Sequence, residues 1–127
     1  MNFLDRILGN AGKIDDIEEL EKKLEKITIE YETIEAGYNI YRDYFVFTDK
    51  RLILVDKQGI SGKKVEYHSI PYKNIRHFSI ESAGTFDRDS ELKLWIAGIN
   101  EPVVKKIGKK SSDIYELQKN LAKYLFN

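Results

Sequence analysis

The stretch Tyr41-Arg42-Asp43-Tyr44-Phe45-Val46-Phe47-Thr48-Asp49-Lys50-Arg51-Leu52-Ile53-Leu54-Val55-Asp56 decides the fold. Two runs rich in aromatic and β-branched residues flank Asp49-Lys50, a tight connection, so the stretch reads as a β-hairpin. Side chains alternate across a strand. One face of the first run carries Tyr41, Asp43, Phe45 and Phe47, and the other Arg42, Tyr44, Val46 and Thr48. In the second run Leu52 and Leu54 share one face, Ile53 and Val55 the other. A strand with one wet face alternates apolar with polar; this hairpin is apolar on both. Something must cover the second face: the N-terminal helices, another subunit or a distinct partner.

Strands continue on both sides of the hairpin. They begin near Thr28 or Thr33, and Tyr38–Thr48 forms the β-rich run that enters the hairpin. Beyond it, Lys64–Ser69, Ile75–Ser82, Glu91–Ala97 and Pro102–Ile107 are further strands, with Pro71 limiting pairing at one boundary and Ala83–Ser90 a polar loop. Upstream, Phe3, Leu4, Ile7 and Leu8 recur at helical spacing before Gly9-Asn10-Ala11-Gly12 breaks the pattern. A second helix runs from about Asp15 to Lys26, with Ile14, Ile17, Leu20, Leu24 and Ile27 on one stripe. The C-terminus returns to helix: Asp113 is a candidate N-cap with Glu116 three residues on, and Ile114, Leu117, Leu121 and Leu125 mark one face. The expected fold is mainly β with helical ends, a single domain over residues 1–127. Residues 1–27 form an acidic helical segment, 28–110 six or seven antiparallel strands in a small barrel or sandwich, and 111–127 a helix placed to plug its open end.

Composition narrows the function classes. The chain has 127 residues, no cysteine, and 21 Lys and Arg against 21 Asp and Glu. Disulfides, thiolate metal sites and cysteine nucleophiles are excluded. A balanced charge argues against a general nucleic-acid binder. No apolar run is long enough to span a bilayer, and the N-terminal residues do not read as a secretory signal, so a cytoplasmic location is expected. Charge is uneven, however. Residues 1–37 hold five Lys and Arg against ten Asp and Glu, residues 38–127 sixteen against eleven. That asymmetry can draw the N-terminal segment onto the body of its own chain or onto a neighbour.

Three blocks carry a family resemblance: Tyr41 through Gly59, Gly62 through Tyr72, and Ser82 through Trp95. Together they resemble the bacterial pleckstrin-homology-like domains over nearly the whole chain. The resemblance implies a seven-stranded, two-sheet, partly open barrel capped by the C-terminal helix. It also implies self-association, in rings or otherwise, without established catalytic residues. Headgroup binding in the eukaryotic relatives depends on a basic first hairpin loop; here that loop, near Tyr41-Arg42-Asp43, has one base and one acid.

Candidate chemistry is sparse. His68 and His77 lack the further ligands that a metal site needs; His77 is expected to share a face with Ile75 and Ser79. Asp87-Arg88-Asp89 with Glu91 lacks the glycine and glutamate spacing of a calcium loop. Asp43, His68 and Ser69 are the residue types of a hydrolytic triad with nothing to fix their geometry. No enzyme activity, metal or cofactor is expected. The main expectation is a non-enzymatic assembly module, a homo-oligomer that scaffolds protein interactions. It would associate through sheet edges or through an outer aromatic face of Tyr44, Val46, Ile53, Val55 and Trp95, the last either an interface anchor or packed beneath a terminal helix. The alternative is peripheral binding of anionic lipid headgroups through Lys63, Lys64, Lys105, Lys106, Lys109 and Lys110, and a third reading is a peptide added along a strand edge.

Overall fold

The computed structural model describes residues 12–40, 43–60, 63–81, 89–108 and 114–126. In chain order these form β1 (Gly12–Lys13), α1 (Ile17–Lys23), β2 (Ile34–Ile40), β3 (Asp43–Thr48), β4 (Arg51–Gln58), β5 (Lys64–Pro71), a 3-10 turn (Tyr72–Asn74), β6 (Ile75–Glu81), β7 (Asp89–Ile96), β8 (Val103–Gly108) and α2 (Ile114–Leu125). The first sheet runs β1-β2-β3-β4-β5 and the second β6-β7-β8, all antiparallel. The two sheets do not close into a barrel. The predicted hairpin is β3–β4, paired from Tyr44 with Val55 to Phe47 with Leu52. Tyr38–Thr48, read as one run, is two strands, and the two-residue β1 was not foreseen.

The core between the sheets follows the predicted alternation. Phe45, Phe47, Leu52 and Leu54 meet Leu92, Leu94 and Ile96, and α2 closes the stack with Ile114, Leu117 and Leu121. Tyr124 of α2 stacks on Tyr72 at 4.5 Å and on Phe47 at 5.6 Å, so the cap is pinned by aromatic faces as well as by aliphatic burial. The candidate N-cap Asp113 and the helix expected over Phe3–Leu8 lie outside the described residues.

A second apolar cluster sits on the far side of the first sheet. Tyr44, Val46, Ile53, Val55 and Ile34 pack under Ile14, Leu20 and Leu24, with Ile17, Ile27 and Val65 at the margin. Asp16 caps α1 by accepting from the Glu19 N–H at 3.0 Å. The helix crosses β2 at Gly37, where an added Cβ would lie 2.5 Å from Leu20 Cδ1. A side chain there would have to displace the Leu20 methyl group packed on it.

Beyond α1 the chain is fastened by one ion pair. Arg51 Nε donates to Glu32 Oε2 at 2.8 Å, and Nη2 to Glu32 Oε1 at 2.8 Å and to the Ile27 carbonyl at 2.6 Å. Thr48 Oγ1 donates to Glu32 at 2.7 Å. The Glu32 side chain is fully covered. Chiefly because Arg51 hydrogen-bonds it, its carboxyl is held at about 2, below its ordinary 4.5.

A lowered folded-state value means that the native chain binds fewer protons than the unfolded one. The resulting stability is complete above pH 4.5 and disappears as pH falls from there toward 2. Denaturation midpoints of the intact chain should therefore fall through that window. Glu32→Gln, which leaves Arg51 without its charge partner, should be less stable at pH 7 by roughly 3 kcal/mol and show a shallower acid slope. Equal slopes in the two proteins would contradict the assignment.

Candidate functional site

The structure brings four of the five residues expected at an interface together, but not at a surface. Tyr44 faces Val55 and Val46 faces Ile53 across the hairpin, and all four are buried beneath α1 and the residues around it. This corrects the expectation of an outer docking face at Tyr44, Val46, Ile53 and Val55: of the three covers considered, the chain's own N-terminal segment supplies it. Burial pushes the Tyr44 hydroxyl up to about 12, and the ring has Lys23 and Lys57 over it at 5.5 and 5.9 Å.

Trp95 is elsewhere, on the outer face of the second sheet. Among the described residues its ring partner is His77, its cross-strand neighbour, with ring centroids 4.4 Å apart; the N-terminal helix expected to cover it lies outside them. His77 was expected to share a face with Ile75. A register shift between the two residues sends Ile75 into the core and leaves His77 exposed.

The described lysines do not converge on one patch. Lys63 and Lys64 are exposed at the start of β5. Lys105 points inward, where Nζ lies 3.3 Å from Asp56 and 3.6 Å from Asp43; Lys106, on the opposite face, is exposed and registers with Glu91. Lys109 and Lys110 lie outside the described residues. Asp43 also accepts from the Lys57 N–H at 3.0 Å. Desolvation first, and the neighbouring Asp56 charge after it, raise its carboxyl above the ordinary range.

The residue types of a triad are likewise dispersed. Ser69 accepts from Arg51 Nη1 at 2.9 Å on the α1 side of the sheet. His68, adjacent in the same strand, turns to the other face. Asp43 is committed at the mouth between the sheets. Among the described residues no three His, Asp or Glu side chains are grouped so as to hold a metal ion; Asp87 and Arg88 are outside them.

What sequence reading mentioned without placing is a strand edge. β5 pairs with β4 through eight consecutive residues, Arg51 with Pro71 to Gln58 with Lys64, without a register shift. It ends the sheet, and among the described residues no strand pairs with its other side. Edges are usually blunted by bulges, brevity, proline or lysine. β5 has Lys64 and Pro71 at its two ends and one charge between them, the exposed Glu66, but no bulge. By contrast β6, an edge of the second sheet, is interrupted by its bulge, and β8 abuts β2 at the corner between the sheets.

The model of the bacterial PH domain family matches residues 2–125. The chain belongs to that family. Among curated relatives of this bacterial PH domain, the uncharacterized protein YjqA of Bacillus subtilis (strain 168) is 54% identical over 122 residues, 96% of this chain and 97% of that one. YozO, an uncharacterized protein of the same strain, is 38% identical over 104 residues, 82% of this chain and 88% of that one. Solved structures agree with the fold. A pleckstrin homology domain from Shewanella amazonensis SB2B superposes with TM-score 0.82 at 51% identity, covering 99% of this chain and 100% of that one. A DUF1696 family protein with a pleckstrin-homology domain from Shewanella loihica PV-4 gives 0.79 at 50%, covering 92% and 98%. No described helix of the bacterial PH domain is long and apolar enough to cross a membrane.

Because Val46 is completely buried, Val46→Glu should unfold this PH domain, or lower its stability by several kcal/mol, about the scale for burying an unpaired charge. Trp95→Glu, at a half-exposed position, should leave the melting curve nearly unchanged. A native-like melt for Val46→Glu would mean that α1 does not cover the sheet in solution.

Proposed function

We propose that the chain is a non-enzymatic assembly module that associates with copies of itself through the open edge of β5 and so scaffolds protein contacts in the cytoplasm. The observation that carries this reading is the eight-residue, unshifted strand at the end of the first sheet. Its outward N–H and C=O groups are a template for another strand. Joining that edge to a different part of the next copy is a heterologous contact, which closes into a ring when the rotation per subunit divides a full turn. Lipid binding through the lysines is less well supported, since Lys105 is held by Asp43 and Asp56 and Lys106 faces away from it.

The test is absolute mass by light scattering over a range of protein concentrations, with proline placed in the edge. Alternate residues of β5 direct their N–H outward, so of Tyr67→Pro and His68→Pro one leaves the β4–β5 ladder intact. Wild type should give a multiple of 14.8 kDa, and the better-folded proline variant should fall to the monomer mass. A wild-type monomer at all concentrations, or a folded proline variant with undiminished mass, would overturn the reading.

A further inference from the structure

The outer faces of the two sheets differ in their cover. On the first, α1 and the residues around it lie over Tyr44, Val46, Ile53 and Val55. On the second, Trp95 stands half-exposed, stacked on His77. Val104 is 45% exposed and registers with Lys93, which puts it diagonal to Trp95 on the same face, within reach of an aromatic ring. His77, Ser79 and Lys106 on that face are exposed as well, so no described element lies over it. Contiguous apolar area on an open sheet face marks a contact site.

The chain itself supplies a matching segment. Phe3, Leu4, Ile7 and Leu8 recur at helical spacing within residues 1–11, which lie outside the described ones. Two turns of helix do not persist in water without a surface to pack on. The outer face of the first sheet is already filled by Ile14, Leu20 and Leu24. The point of departure favours the second sheet. Gly12 pairs with Asn39 of β2, and β2 is the strand of the first sheet that adjoins β8, so the chain before Gly12 departs at the border between the sheets. Trp95 lies on β7, the next strand in from β8, about 5 Å further across the face. Gly9-Asn10-Ala11 spans up to about 10 Å when extended. Charge is no obstacle: the segment holds one acid, Asp5, and one base, Arg6, and Lys93 is already paired with Glu91 at 3.5 Å.

We propose that Phe3, Leu4, Ile7 and Leu8 pack as a helix on the outer face of the second sheet of their own chain, over Trp95 and Val104. Each sheet then has its outer face covered by part of the N-terminal segment, α1 on the first and the residues before β1 on the second. Trp95 is an intramolecular contact and not an anchor for another protein. The segment docks on a finished sheet, so its release uncovers Trp95 without unfolding the domain. This contact is independent of assembly through β5.

Trp95 is the sole tryptophan and the chain has no cysteine, so fluorescence and cross-linking both report without background. In the full chain, Leu4→Asp with Ile7→Asp should shift Trp95 emission to longer wavelength and raise its quenching by acrylamide about twofold, the scale for opening a half-covered ring, with the thermal melt unchanged. The comparison is made at a concentration where light scattering gives both proteins the same mass. Leu8→Cys with Val104→Cys should be joined within one chain by a short bis-maleimide, and so run as a monomer on a denaturing gel. Leu8→Cys with Ile29→Cys, whose second site is exposed on the loop after α1, should not. Unchanged emission and quenching in the aspartate variant overturns the proposal. So does a Leu8–Val104 cross-link that is absent or joins different chains, the latter giving the face to the N-terminal segment of another copy.

Discussion

The β3–β4 hairpin must be covered on both faces, and the rest of the structure depends on that requirement. Phe45, Phe47, Leu52 and Leu54 call for a second sheet; Tyr44, Val46, Ile53 and Val55 call for a second layer on the other side. The dependence is mutual. α1 has seven residues, too short to persist as an isolated helix in water. It is held by the face it covers, by Gly37 beneath Leu20 and by the Arg51–Glu32 fastening downstream. Helix and sheet face thus stabilise each other, which is why a charge at Val46 acts on the fold and not on an interface.

The two ends of the hairpin are closed by ion pairs that respond oppositely to acid. At the turn end, Arg51 holds Glu32 below its ordinary range, so protonation removes stability. At the mouth, burial raises Asp43 despite Lys105 nearby. A raised carboxylate costs stability in full above its folded-state value, and that cost is relieved as pH falls through it. Burial acts on both carboxyls, and partner number decides how far it is offset. Glu32 receives two guanidinium hydrogen bonds and a hydroxyl, whereas Asp43 and Asp56 share one ammonium.

Much of this was legible in the chain. The alternation of Phe45 and Phe47 against Tyr44 and Val46 gave the inner and outer faces, the stripe from Ile14 to Ile27 gave the strap, and Ile114, Leu117 and Leu121 gave the cap, because each pattern is local and repeats with the period of its element. Other features depend on distant residues meeting. Arg51 and Glu32 are 19 residues apart, and no spacing rule joins them. His77 shares a face with Ser79 as expected but not with Ile75, because the irregularity between Ile75 and His77 inverts the alternation on one side of it. Which strand ends a sheet is a property of pairing order, so the β5 edge was only one of several edges on sequence grounds. The cover over the outer face was one of three choices for the same reason: an apolar stripe shows that a helix is buried, not against what.

These polar side chains are largely engaged in holding the fold. Thr48, Glu32 and Arg51 organise the turn, Asp43, Asp56 and Lys105 the mouth, and Tyr72 donates to the carbonyls of Thr48 and Arg51. Among the described residues no buried side-chain nitrogen or oxygen lacks a partner. Among the described residues, the outer side of β5 also offers a row of backbone N–H and C=O groups with no strand paired to it. Backbone pairing supplies affinity without selectivity, since every strand presents the same groups. Selectivity for any strand added there would have to come from side chains flanking the edge, and along β5 those include Lys64, Glu66 and Tyr67, all exposed.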